Sequence, residues 1–310
     1  MKLNLSNMRL FHTKLKNDHI KVKIFGGLGN QMYQYAMART LADKFSLGLT
    51  LDISSYHGNK RSGIERSFSL DKFNIRYTSL EASSGKKYWS IAAAKQSIYL
   101  QNLFGIYLEN DLPISELSPS EIKGQLLVGY WQNYRYFEDN SENILSDFSL
   151  KHSLSKRSEE LLSNVSQGPS LMVHIRRGDY VTSSESGGQH RLVPLSYYKA
   201  ALKIISNTLV PIKIFVFSDD IEWCKNLAVF EGFETHFVGQ SKDRGDYEDL
   251  HAMACCDRHI IANSTFSWWA AWMASQRKCK EQPYVCAPKT WFYEKTGSST
   301  NVMPKGWTCL

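Results

Sequence analysis

The sequence predicts an α/β protein whose two halves each build a parallel sheet covered by helices on both faces. Three observations carry that prediction. Short apolar runs of strand length alternate with helix-length segments along most of the chain. A glycine turn, Gly26-Gly27-Leu28-Gly29, joins the first such run to the first helix. Three later runs end in polar clusters, as strands do when their carboxyl ends face a ligand.

Val22 to Phe25 reads as a strand, followed by the turn and a helix from about Met32 to Phe45. Tyr33, Met37, Leu41 and Phe45 fall four apart on one helical face. Leu47 to Ile53 completes a βαβ unit. A helix is expected from Glu81 to Gln101, within the least legible stretch, 54–126, and a strand from Leu126 to Trp131. Residues 138–168 read as helices and a connection, with Gln167-Gly168-Pro169 as the domain boundary.

The second half opens with the buried run Leu171 to Val173, then His174-Ile175-Arg176-Arg177-Gly178-Asp179-Tyr180. A polar segment, 182–191, precedes a helix opened by Pro194 and Ser196. Strands follow at Ile212 to Phe217, Thr235 to Val238, His259 to Ala262 and Tyr284 to Ala287. Asp246 with Asp249 suits the N-cap of the helix running through Cys256. Domains of 21–168 and 169–310 follow, after a loose arm of residues 1–20.

Hydrophobic residues make up 43% of the 310 and charged ones 22%, an ordinary globular balance. The net charge of +7 favours anionic ligands or acidic surfaces, and no basic run is long enough for a nucleic-acid arm. The six cysteines match no zinc spacing and read as buried thiols of a reducing compartment, with one disulfide left open. No apolar stretch is long enough for a membrane span, and the first twenty residues lack a signal-peptide core.

Carboxyl ends of parallel strands share one sheet edge. His174 to Asp179, Ser218-Asp219-Asp220 and Asn263 to Ser267 should therefore converge. Together they offer two guanidinium forks, carboxylate acceptors, and hydroxyls at a helix N-terminus, an inventory suited to a nucleoside diphosphate. Each has a plainer reading. The arginines suit structural ion pairs, Asp219-Asp220 and the hydroxyls suit helix caps, and Trp268 and Trp269 suit the core. The Gly27–Gly29 turn with Asp52 also fits a dinucleotide fingerprint, and hence an NAD-dependent oxidoreductase, except that Met32 stands where a third small residue belongs.

His174-Ile175-Arg176-Arg177-Gly178-Asp179-Tyr180 resembles the signature of the α1,2-fucosyltransferases of glycosyltransferase family 11. The accompanying motifs are Gly26-Gly27-Leu28-Gly29-Asn30-Gln31-Met32, Gly129-Tyr130-Trp131-Gln132, Phe217-Ser218-Asp219-Asp220 and Asn263-Ser264-Thr265-Phe266-Ser267-Trp268-Trp269. The resemblance implies the GT-B arrangement of two Rossmann-like domains facing across a cleft. It implies inverting, metal-independent transfer of L-fucose from GDP-fucose to the 2-hydroxyl of a galactoside. By motif, Arg176 would contact the β-phosphate and Arg177 would support the loop or the phosphates. His174 with Asp219 or Asp220 would lie near ribose and guanine. Ser264, Thr265, Phe266 and Ser267 would meet the diphosphate. Gly27, Gly29 and Asn30 would approach the donor from the N-terminal, acceptor-side domain.

Direct displacement also calls for a base at the acceptor hydroxyl. Asp179 is the first candidate, with a salt bridge to Arg177 as its other reading, and Glu185 is the second. Without the N-terminal anchor of eukaryotic relatives, the chain resembles bacterial members that assemble surface polysaccharide or O-antigen units in the cytoplasm. Its acceptor is then a galactose-terminated, lipid-linked glycan, met at the inner face of the cytoplasmic membrane.

Overall fold

The computed structural model describes residues 18–57, 66–81, 88–109, 117–177, 192–207, 212–241, 243–277, 283–291 and 302–310. The chain divides into two compact units, Met1–Lys151 and His152–Leu310.

The first unit runs β1 (His19–Lys23), α1 (Leu28–Phe45), β2 (Gly48–Asp52), β3 (Ser79–Glu81), α2 (Tyr88–Ala94), α3 (Ile98–Phe104), β4 (Ile106–Leu108), α4 (Pro119–Ile122), β5 (Leu126–Val128) and α5 (Ser141–Asp147). Its strands lie in the order β3-β2-β1-β5-β4, and every pair is parallel. Helix α1 is buried almost all round, because Tyr33, Met37 and Leu41 on one face are joined by Met32, Tyr35 and Ala36 on the others. Even its Arg39 is buried, donating to Asp147 of α5 at 3.0 Å, while Tyr35 donates to the same carboxylate at 2.6 Å.

The second unit runs α6 (Lys156–Val165), β6 (Ser170–Ile175), α7 (Leu195–Ser206), β7 (Lys213–Ser218), α8 (Ile221–Lys225), β8 (Thr235–Val238), α9 (Asp246–Cys255), β9 (Arg258–Ile260), α10 (Thr265–Ser275), β10 (Tyr284–Ala287) and β11 (Thr308–Cys309). The strand order is β11-β10-β9-β6-β7-β8, again parallel throughout. All six residues of β6 are buried, as a central parallel strand requires.

The structure departs from the sequence expectations at several points. The unit division falls at Lys151 and not at Gly168, because α6 packs on α9 and Ser155 N donates to Glu248 at 2.6 Å. His19 already belongs to β1, aligned with Gly48, so the expected arm gives way to strand before residue 20. The helix expected over 81–101 is two helices. Glu81 pairs into β3, and Ser97 caps α3 by accepting from Leu100 N, which separates it from α2. The N-cap of α9 is Gly245, whose N–H donates to Glu248 at 3.0 Å, while Asp249 pairs with Arg244. Among the described residues five cysteines are free thiols, and of these Cys309 is exposed. No described helix is long and apolar enough to cross a membrane.

Candidate functional site

Each sheet reverses its strand order once. In the second unit the reversal lies between β6 and β9, and in the first between β1 and β5. Crevices at such switch points are where open α/β sheets bind ligands. Motif-bearing loops follow all four of these strands, and the Ser218-Asp219-Asp220 cluster follows β7, the neighbour of β6.

In the second unit, Ile175 aligns with Ser218, so the two strands deliver the arginines and the aspartates side by side. Asp219 accepts from Arg176 Nη1 at 2.9 Å and, through its other oxygen, from Arg177 N at 2.8 Å. Asp220 accepts from Arg177 Nε at 2.9 Å and also from Trp223 N at 3.3 Å, capping α8. The Arg177 guanidinium lies 4.1 Å from the centroid of a Trp223 ring. Each arginine thus has a carboxylate neighbour. Both Asp219 oxygens are engaged by the arginine loop, one by the Arg176 guanidinium and one by the Arg177 N–H. Trp223 had no motif to announce it; only its position three residues after the N-cap placed it under Arg177.

His174 is buried and its ring lies 6.1 Å from that of Phe266. Burial, and then the charge of Arg176, push its pKa down to about 3, so the imidazole is neutral at ordinary pH. Its Nδ1 has no hydrogen-bond partner among the described residues. Ser264 is the N-cap residue of α10, although its side chain makes no cap bond. Ser264, Thr265 and Phe266 are half-buried at this edge, whereas Ser267 is fully buried, its hydroxyl donating to Ser264 O at 3.2 Å. Ser267 therefore closes the helix start. Trp268 and Trp269 are core residues, with Trp268 Nε1 donating to Val302 O at 2.8 Å.

In the first unit, Gly26 has φ +84, which only glycine adopts without strain. The first-turn N–H groups of Asn30 and Gln31 fold back on Gly27 O at 3.0 and 3.1 Å. Gln31 is fully buried. Its amide donates to Gly26 O at 3.2 Å and Ser67 O at 2.9 Å and accepts from Ser69 N at 2.9 Å, so it clamps the turn. Asn30 Oδ1 accepts from Gln132 Nε2 at 3.1 Å. Gly27 faces the Arg66 guanidinium, which an added Cβ would approach to 2.9 Å. Gly29 lies in the first turn of α1. Asp52 is buried, accepting from Ser54 N at 3.0 Å beside Lys23, and Met32 is buried too, so nothing here supports the dinucleotide reading.

Asp179 and Glu185, the two expected bases, lie outside the described residues, as do Gly178 and Tyr180. Among the described residues no group of three His, Cys, Asp or Glu side chains is placed to hold a metal ion.

The profile of glycosyl transferase family 11 matches residues 19–309. An alpha-1,2-colitosyltransferase of Escherichia coli is 31% identical, over 93% of this chain and 97% of that one. The Escherichia coli O-antigen biosynthesis glycosyltransferase WbnK is 32% identical, over 86% and 93%. Galactoside alpha-(1,2)-fucosyltransferase 1 of Saimiri sciureus is 26% identical, over 48% of this chain and 42% of that one. A crystal structure of POFUT1 in complex with GDP matches with a TM-score of 0.51 at 12% identity, covering 88% and 98%, a likeness of fold.

Proposed function

This chain belongs to glycosyltransferase family 11, and on that premise we propose that it transfers L-fucose from GDP-fucose to the 2-hydroxyl of a terminal galactose, with inversion at the sugar. The observation that carries the reading is the pair Arg176 and Arg177, held by Asp219 and Asp220 at the switch point of the second sheet. Breaking the sugar–phosphate bond leaves negative charge on GDP. A guanidinium already oriented by a carboxylate meets that charge without reorganising. Arg176 is the phosphate-facing member, keeping 29% of its side-chain surface exposed while Asp219 fixes one edge. Arg177, bonded to Asp220 and stacked on Trp223, holds the loop. His174, being neutral, offers a hydrogen bond to the nucleoside without adding charge. Ser264 and Thr265 stand at the N-terminus of α10, where hydroxyls and backbone N–H groups favour phosphate. The acceptor is a galactose-terminated, lipid-linked O-antigen unit, met by peripheral contact with an anionic membrane surface; absence of binding in a vesicle flotation assay removes that contact.

A second donor is favoured by one observation, the 31% identity to a colitosyltransferase. The two readings share GDP and differ in the sugar. Melting curves with GDP, UDP and NAD test the nucleotide, and product linkage from GDP-fucose or GDP-colitose with a β-galactoside tests the transfer. Stabilisation by UDP alone, or a product not linked at the 2-hydroxyl, overturns the proposal.

A further inference from the structure

The carboxyl edge of the first sheet carries a built turn for which phosphate binding has no use. Glu109 follows β4. One of its carboxylate oxygens accepts from Tyr130 N at 2.7 Å, the other from Trp131 N at 2.9 Å. Trp131 has φ +57, a left-handed conformation that disfavours any residue with a bulky side chain. Its indole is buried, 6.4 Å from the Tyr107 ring and 6.0 Å from Tyr136, and Nε1 has no hydrogen-bond partner among the described residues. Gly129 is held by Gln34, which donates to its carbonyl at 3.2 Å. A Cβ on Gly129 would stand 2.4 Å from Glu109 Cβ, so the carboxylate and the glycine are fitted to one another. Backbone strain and a buried unpaired donor are both unfavourable, and features of this kind collect at ligand sites.

The turn presents two groups. Tyr130 is 50% exposed, its ring 5.1 Å from that of Phe25. Gln132, two residues on, donates to Asn30 at 3.1 Å. A half-exposed aromatic ring on the same turn as a carboxamide pair matches a neutral sugar. The ring covers an apolar C–H face, and the amides exchange hydrogen bonds with hydroxyls. These residues follow β1 and β5, the strands that flank the switch point of this sheet.

We propose that Tyr130, Gln132 and Asn30 seat the acceptor hexose, and that Glu109 is the positioning residue that holds the seat in shape. This rests on reading the first unit as the acceptor side of the glycosyltransferase, and it moves Asn30 from the donor to the acceptor.

The test uses the full chain and the variants Tyr130→Ala, Gln132→Ala and Glu109→Gln. Saturation-transfer NMR with methyl β-galactoside, without donor, reads the seat directly. Acceptor KM at saturating GDP-fucose and the GDP-induced rise in melting temperature read the two substrates separately. Tyr130→Ala and Gln132→Ala should lose the galactoside signal. Glu109→Gln should raise acceptor KM about tenfold, the scale of one lost charge-assisted hydrogen bond, with the GDP-induced rise retained. No galactoside signal in the wild type overturns the proposal. So does a wild-type signal in both alanine variants, or an unchanged acceptor KM in folded Glu109→Gln. If Glu109→Gln does not fold, the alanine variants decide. A wild type that binds galactoside through Tyr130 but transfers nothing from GDP-fucose leaves the seat standing and overturns the donor.

Discussion

Asp219 holds Arg176 with one carboxylate oxygen, at 2.9 Å, while its other oxygen takes the backbone N–H of Arg177, at 2.8 Å. One carboxylate therefore fixes both the direction of a guanidinium and the path of the loop that carries it. Asp219→Ala should leave Arg176 in place but unaimed, lowering turnover roughly 10²-fold, the scale of a small misplacement of a catalytic group. Single-turnover rates at saturating GDP-fucose measure it, and a near wild-type rate would remove the orienting role.

Arg176→Lys keeps the charge and loses the fork. A point charge cannot bond Asp219 and a phosphate in two fixed directions. Turnover is expected to fall about 10²–10³-fold, as for loss of one preorganised donor. Equal losses in Arg176→Lys and Arg176→Ala would mark geometry, and not charge, as the requirement.

Trp223→Ala should act through stability. It removes the ring beneath Arg177, a contact worth about 0.5–2 kcal/mol. For a unit of this size each kcal/mol lowers the melting temperature by about 2–4 °C. Calorimetry of the variant, and of Arg177→Ala, should show losses that fail to add, because the two side chains share the contact.

His174 and His259 are both buried with pKa values pushed down to about 3 from an ordinary 6.5. Burial is the first cause for each. The charge of Arg176 adds to it at His174; at His259 the bond to Met253 O at 3.0 Å opposes it. The unfolded chain takes up a proton on each histidine below about pH 6.5, whereas the folded chain does so only near pH 3. Their stability contribution is whole above pH 6.5 and is lost as pH falls toward 3, by up to about 1.4 kcal/mol per pH unit for each. Urea midpoints between pH 7.5 and 5 should fall, and less steeply in His259→Asn. An unchanged slope in that variant would show that His259 is not protonated on unfolding.

Gln31→Met removes a buried amide that ties Gly26, Ser67 and Ser69 together. Ser67 O and Ser69 N lose this partner, at about 1–3 kcal/mol for each group left unsatisfied, while Gly26 O keeps the Tyr56 hydroxyl at 2.9 Å. Gln31→Glu should be worse, since it sets a carboxylate against the same two carbonyls. Reversed order in the melting temperatures would reject the clamp.

Much of the fold is legible in the sequence, because strand and helix periods are local and the apolar runs of β6 and β7 leave few other assignments. The motifs also foretell that the arginine and aspartate clusters come side by side, since polar clusters after parallel strands share one sheet edge. Less of the site's inner wiring is written there. Spacing shows Gly26-Gly27 as a turn but not that Gln31 is buried beneath it. It shows Arg176 and Asp219 as candidates but not as partners, because their meeting depends on β6 lying beside β7. Glu109 carries no motif at all, and its bonds to Tyr130 N and Trp131 N form only because β4 and β5 are neighbours. The hydrogen bonds that aim these side chains join residues 20 to 40 or more positions apart. The sequence by itself therefore determined the elements, the family and the strand ends that bear the chemistry. Tertiary structure decided which carboxylate holds which cation, because strand order, and not chain spacing, sets that distance.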